Sequence, residues 1–176
     1  MIYWGEGEVN IDQVRYIAMS DLNPGRLFIR ERDGKKMLGV SLTGSQSGCS
    51  VIFEDDPRRV RRHVNVTNAQ VLELGCEWSF DAEKLSRISR FTALDHDSVP
   101  IIVDDKATYM PVEVDVNGRG AWQMEWLILS GGNRFELASG EIAPSFARAC
   151  VLGEFSVQIC LGDTKKKIDP FNVLSL

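Results

Sequence analysis

Apolar and polar residues alternate with a period of two through much of this chain, and the alternation stays in phase across several turn signals. The clearest stretch runs Leu27-Phe28-Ile29-Arg30-Glu31-Arg32, then Asp33-Gly34, then Lys35-Lys36-Met37-Leu38-Gly39-Val40. A two-residue Asp-Gly loop selects a type I′ turn, whose twist matches the strands it joins. Such a turn sets Glu31 against Lys36, Ile29 against Leu38 and Leu27 against Val40. One face then carries all the branched aliphatics, which is how a half-buried strand pair is written.

The same reading extends along the chain. Val14 to Met19 is expected as a strand closed by the Asn23-Pro24-Gly25 turn, and Cys49 to Phe53 as a short apolar strand after the Gly44 to Gly48 loop. Asp56-Pro57 turns the chain, after which Val60, Val64 and Val66 continue as a strand. Leu72, Leu74, Cys76, Trp78 and Phe80 mark the buried side of the next one. One helix is expected, Ala82 to Arg90, capped by Ser79 or Asp81, with Ala82, Leu85 and Ile88 on one side.

In the second half, a five-residue loop through Ala121 pairs Val116 with Trp122, Val114 with Met124 and Val112 with Trp126. Gly131-Gly132 then pairs Ile128 with Phe135 and Trp126 with Leu137, giving one heavy apolar face. Phe146 to Leu152 and Phe155 to Leu161 flank Gly153-Glu154, a Gly-X pair suited to a type II′ turn. The expected fold is mainly β: an antiparallel β-sandwich or partly open barrel built from hairpins, with one short α-helix. The segment around Ala93 to Pro100 divides it into a 1–92 lobe and a 99–176 lobe, with one continuous domain as the alternative. A faint echo links Ser50-Val51 and Asn65-Val66 to Ser156-Val157 and Asn172-Val173, but little else matches, and chance explains it.

Charge narrows the partners. A net charge of −5 and a pI near 5.1 argue against nucleic acid, which needs surplus positive potential. The N-terminus lacks a basic start followed by an apolar core, and no apolar run approaches the ~20 residues of a membrane span, so a cytoplasmic protein without a membrane partner is expected. The four cysteines, Cys49, Cys76, Cys150 and Cys160, fall in expected strands. In the Gly153-Glu154 hairpin Cys150 and Cys160 point to opposite faces, so they are expected as free thiols. No Cys-x-x-Cys spacing points to zinc.

The most distinctive polar feature is Arg58, Arg59, Arg61, Arg62 and His63, a candidate ligand site because guanidinium groups bind phosphate through paired donors. Its structural alternative is a strand face balanced by Glu54, Asp55 and Asp56 and by Glu73 and Glu77 of the next strand. Asp95, His96, Asp97 and Asp104-Asp105 offer hard-metal ligands, though turns also favour these residue types, and no metal or other cofactor is expected. No Gly-x-Ser-x-Gly or phosphate loop is present, and no catalytic residues are assigned. Trp122, Met124, Trp126 and Phe135 are read first as core and second as a binding face.

The functional expectation is a non-catalytic module that binds another protein, of inhibitor or immunity type or a subunit of an assembly. A sensor holding a phosphorylated small molecule on the arginine cluster is the second reading. A metal-dependent hydrolase built on Asp95, His96, Asp97 and Asp104 is the third.

Overall fold

The computed structural model describes residues 15–44, 47–54, 60–75, 78–87, 101–103, 108–115, 119–130, 134–138, 151–161, 164–169 and 173. Within them the alternation becomes thirteen strands. They are β1 (Arg15–Ala18), β2 (Leu27–Arg32), β3 (Lys35–Ser41), β4 (Cys49–Phe53), β5 (Val60–Val64), β6 (Gln70–Gly75) and β7 (Trp78–Arg87). The rest are β8 (Ile101–Val103), β9 (Thr108–Asp115), β10 (Trp122–Ser130), β11 (Arg134–Ala138), β12 (Val151–Leu161) and β13 (Thr164–Ile168). No α-helix occurs among the described residues; a 3₁₀ turn, Met19–Asp21, follows β1. Among the described residues no helix is long and apolar enough to cross a membrane.

Pairing links these strands in the order β1-β6-β2-β3-β4-β5-β9-β8-β12-β13, with β10 on β9, β11 on β10 and β7 on β12. Among the described residues every pairing is antiparallel except one parallel bridge, Arg61 to Glu113, which joins β5 to β9. The β2–β3 hairpin has the register its turn dictates: Glu31 opposite Lys36, Ile29 opposite Leu38, Leu27 opposite Val40. Asp33 (φ 53°) and Gly34 (φ 74°) both take the positive φ that a type I′ turn requires.

The two faces of this sheet bury different sets. One side gathers Leu27, Ile29, Leu38, Val40, Val51, Phe53 and Val60 with Met110, Val112, Leu127 and Ile168. The other is smaller: Phe28, Ile52 and Val71 with Met19 of the 3₁₀ turn and Leu22 just after it. On that side the Phe28 ring lies across Gly39, directly opposite in the register, and fills the space a side chain there would take. Trp78 is buried as its alternation implied, and its indole N–H donates to the Gly25 carbonyl at 2.9 Å.

Several expectations are corrected. Ala82 to Arg87 belongs to strand β7 and not to a helix; residues 88–90 lie outside the described residues. β7 pairs with β12, setting Trp78, Phe80 and Ala82 opposite Ile159, Val157 and Phe155. A nine-residue helix is marginal alone, and the main-chain ladder to an eleven-residue strand outweighs it. β12 itself runs through Gly153-Glu154, so no hairpin forms there; the glycine is absorbed at a register shift between Leu152 and Glu154. The β9–β10 register also differs by one residue, with Trp122 opposite Asp115, Met124 opposite Glu113 and Trp126 opposite Pro111. The loop is tied at Asp115, whose carboxylate accepts the Arg119 and Gly120 amides at 3.3 and 3.1 Å. Val114 therefore meets Gln123 and Val112 meets Glu125, because a slip of one exchanges the faces. Across β10–β11 Leu129 faces Phe135 and Trp126 faces Ala138, which puts Phe135 and Trp126 on opposite faces.

Candidate functional site

Strand β5 carries the described part of the arginine cluster, and its alternation divides it. Arg61 and His63 share the face of Ile52 and Ser50, whereas Arg62 lies on the other face, opposite Val51. Arg58 and Arg59 lie outside the described residues, as do Asp95, His96, Asp97, Asp104 and Asp105. Among the described residues no group of three His, Cys, Asp or Glu side chains is placed to hold a metal ion. Cys49 is a free, half-buried thiol; Cys76 and Cys150 lie outside the described residues.

Arg61 is engaged. Its Nε donates to Glu113 Oε2 at 3.0 Å and its Nη1 to Glu54 Oε1 at 3.4 Å, with all three side chains mostly buried. Glu54 is one of the sequence-adjacent acids expected to balance the cluster; Glu113, from the far side of the β5–β9 bridge, is not. Glu73 serves a different group. It is buried beneath β1, where it accepts a hydrogen bond from Arg15 Nε, and Arg26 Nε lies 3.3 Å from its second oxygen.

Sequence reasoning missed Arg30 and Arg32. Phe28, Arg30 and Arg32 form one face of β2, and the register carries that face through Gly39 and Ile52 to Arg61. Arg30 is half-buried and has no hydrogen-bond or ion-pair partner among the described residues; Arg32 is exposed, its Nε 3.6 Å from Asp33. Burial and the Arg32 charge lower the pKa of Arg30, while Glu54 acts in the opposite direction. His63 is pulled from 6.5 down to about 4, first by burial and then by Arg30, Arg61 and Arg32. Its ring is therefore neutral at pH 7, able to donate one hydrogen bond and accept another. One row further along this face, Asn65 accepts from Ser50 Oγ at 2.5 Å, and its buried Nδ2 has no hydrogen-bond partner among the described residues. The alternation around Asp33-Gly34 contained the Arg30–Arg32 face; the strand order that puts His63 on the same face, three strands away, is a product of the whole sheet.

At the other end of the strand order lies β1. It pairs only with β6, and its outer edge has no strand partner among the described residues. Tyr16, opposite Leu72, continues the larger apolar face past the sheet and is 71% exposed. Val66 is 79% exposed in the segment whose Thr67 and Ala69 carbonyls accept the Ser20 and Met19 amides.

No protein-family model, curated protein or solved structure matches the chain.

Proposed function

We propose that the protein is a non-catalytic binding module whose partner is another protein, engaged at the β1 edge. The observation that carries this reading is an edge strand with a large aromatic residue left in solvent. Unpaired strand edges are templates for a further strand, and proteins usually blunt them with lysine, proline or a bulge. None of these stands in β1: it reads Arg-Tyr-Ile-Ala, and the Arg15 side chain is turned back onto Glu73. A partner strand added there gains main-chain hydrogen bonds, with Tyr16 providing the side-chain contact. We infer further that the sheet closes into a sandwich or partly open barrel. In support, Ile168 of β13 and Leu127 of β10 share one apolar cluster with Leu27 and Leu38, far away in the strand order.

The test compares the wild-type protein with Tyr16→Asp as bait in a lysate of the native host, followed by hydrogen exchange on the recovered complex. A partner retained by the wild type, lost with Tyr16→Asp, and protecting the amides of residues 15–18 is the expected result. Equal capture by both baits, or protection confined to other strands, overturns the reading.

A further inference from the structure

The main-chain groups on the outer edge of β1 follow from its ladder to β6. The Met19 N–H donates to the Ala69 carbonyl at 2.8 Å, one step beyond the Ala18–Gln70 pair, so residue 19 bonds inward. Bonded and non-bonded pairs alternate along an antiparallel ladder. The main-chain groups of Ile17 and Arg15 therefore point inward as well, and those of Tyr16 and Ala18 point out to the open edge. A strand added antiparallel bonds at Tyr16 and meets Arg15 and Ile17 in non-bonded pairs, where side chains approach most closely. Tyr16 stands on the larger apolar face, opposite Leu72; Arg15 and Ile17 stand on the other, opposite Glu73 and Val71.

The charge beside this edge is unbalanced. Glu73 is buried between two guanidinium groups: it accepts a hydrogen bond from Arg15 Nε, and Arg26 Nε lies 3.3 Å from its other oxygen. One carboxylate shared by two cations leaves one positive charge over. Arg15 presents it at the edge, with a side chain 62% exposed whose terminal nitrogens have no hydrogen-bond partner among the described residues. Given a partner strand on β1, we propose that this strand is acidic. It lies antiparallel to β1 and sets an Asp or Glu carboxylate against Arg15, next to an apolar residue packed on Tyr16. Guanidinium and carboxylate then join through charge-assisted hydrogen bonds, which are shorter and stronger than neutral ones. A second copy of this chain does not supply that acid. A two-fold axis at Tyr16 sets Arg15 against Ile17 of the second copy, and an axis at Ile17 sets it against Met19. Asp21 lies beyond the ladder, in the 3₁₀ turn.

The experiment measures the affinity of the full chain for two hairpin-forming peptides by fluorescence anisotropy, the hairpin sparing the cost of ordering a strand. Their docking strands read Thr-Val-Phe-Glu-Val-Thr and Thr-Val-Phe-Lys-Val-Thr, so that Phe meets Tyr16 and the charged residue meets Arg15. The glutamate peptide is expected to bind at least about tenfold more tightly. Net charge cannot produce that preference, since −5 on the chain favours the lysine peptide. Arg15→Gln leaves Arg26 and Glu73 to balance each other and is expected to abolish the preference, whereas Lys36→Gln, in the β2–β3 hairpin, keeps it. Equal affinities for the two peptides, or a preference untouched by Arg15→Gln, overturn the acidic strand. Equal binding that still protects the amides of residues 15–18 overturns it while leaving the β1 edge as a docking site. Binding of neither peptide overturns it too, and capture with Tyr16→Asp then judges the edge by itself. A chain that sediments as a dimer and excludes both peptides overturns it in favour of self-pairing. If Arg15→Gln does not fold, the wild-type comparison of the two peptides decides.

Discussion

At Gly39 the sheet makes room for a neighbour's ring and not for a side chain of its own. Phe28 is fully buried, so it has no solvent to retreat into, and a Cβ added at Gly39 overlaps three of its ring carbons. Gly39→Ala is expected to destabilise the protein by roughly 2–3 kcal/mol, the cost of overpacking a closed site. Phe28→Leu in the same chain should recover part of that loss. Additive effects of the two changes, read by urea denaturation, would show that the ring is not the cause. His63 gives the second prediction at this scale. Its folded pKa of about 4 lies below the unfolded 6.5, so the unfolded state binds the proton more readily. The stability carried by the neutral ring is whole above pH 6.5 and is lost as pH falls toward 4. The loss is of order 1–3 kcal/mol, discounted because the ring is only half-buried. Unfolding free energies at about pH 7 and about pH 4.5 should therefore differ less in His63→Gln than in the wild type. The same pH dependence in both chains would remove His63 from the account.

Strand elements were legible where the turn itself fixes the register. Asp33 and Gly34 need only their own backbone preferences to make a type I′ turn, and the register of β2–β3 follows from it. Nothing lies near Gly34, so Gly34→Ala meets no clash; it must instead hold an alanine at φ 74°. A loss of about 1 kcal/mol is expected, with Asp33→Asn close to neutral, since both residues tolerate that conformation. A thermal scan reads the difference; an Ala variant as stable as the wild type would mean the hairpin is not held by this turn. Elsewhere the determinants lie outside the element. The valine alternation in β9 was read correctly as a strand, but its register depends on two amide bonds to Asp115, which no alternation reports. β7 resembled a helix because its partner, β12, lies about seventy positions away in the chain. The candidate site was legible by halves for the same reason. His63 and Arg61 were visible in their cluster and Arg30 in its hairpin, while their common face depends on the order β2-β3-β4-β5.

The strand order also shows where the molecule is joined most narrowly. Strands β1 to β6 form one continuous run of antiparallel neighbours, and among the described residues β9 meets that run through one parallel bridge, Arg61 to Glu113. One bridge supplies few main-chain hydrogen bonds, so among the described residues side chains add to the junction. Arg61 is the side chain in position to do so. Its Nε–Oε2 bond to Glu113 crosses the junction at 3.0 Å, while its 3.4 Å bond to Glu54 stays within the first run. Each side chain of the crossing pair keeps about a quarter of its exposure, so solvent screens the pair less than an open surface bridge. A coupling energy of about 1 kcal/mol or more is expected between Arg61 and Glu113, with a smaller one between Arg61 and Glu54. Double-mutant cycles with Arg61→Met, Glu113→Gln and Glu54→Gln measure both, the methionine retaining the apolar stem. If the effects at Arg61 and Glu113 add to within about 0.5 kcal/mol, the pair is not what holds the junction. Hydrogen exchange separates the remaining alternatives. A junction dependent on this pair loses protection in β9 when Arg61 is changed, while β3, inside the continuous run, keeps it. Uniform loss across β3 and β9 would instead mean that Arg61 acts on the whole sheet through the packing of β5.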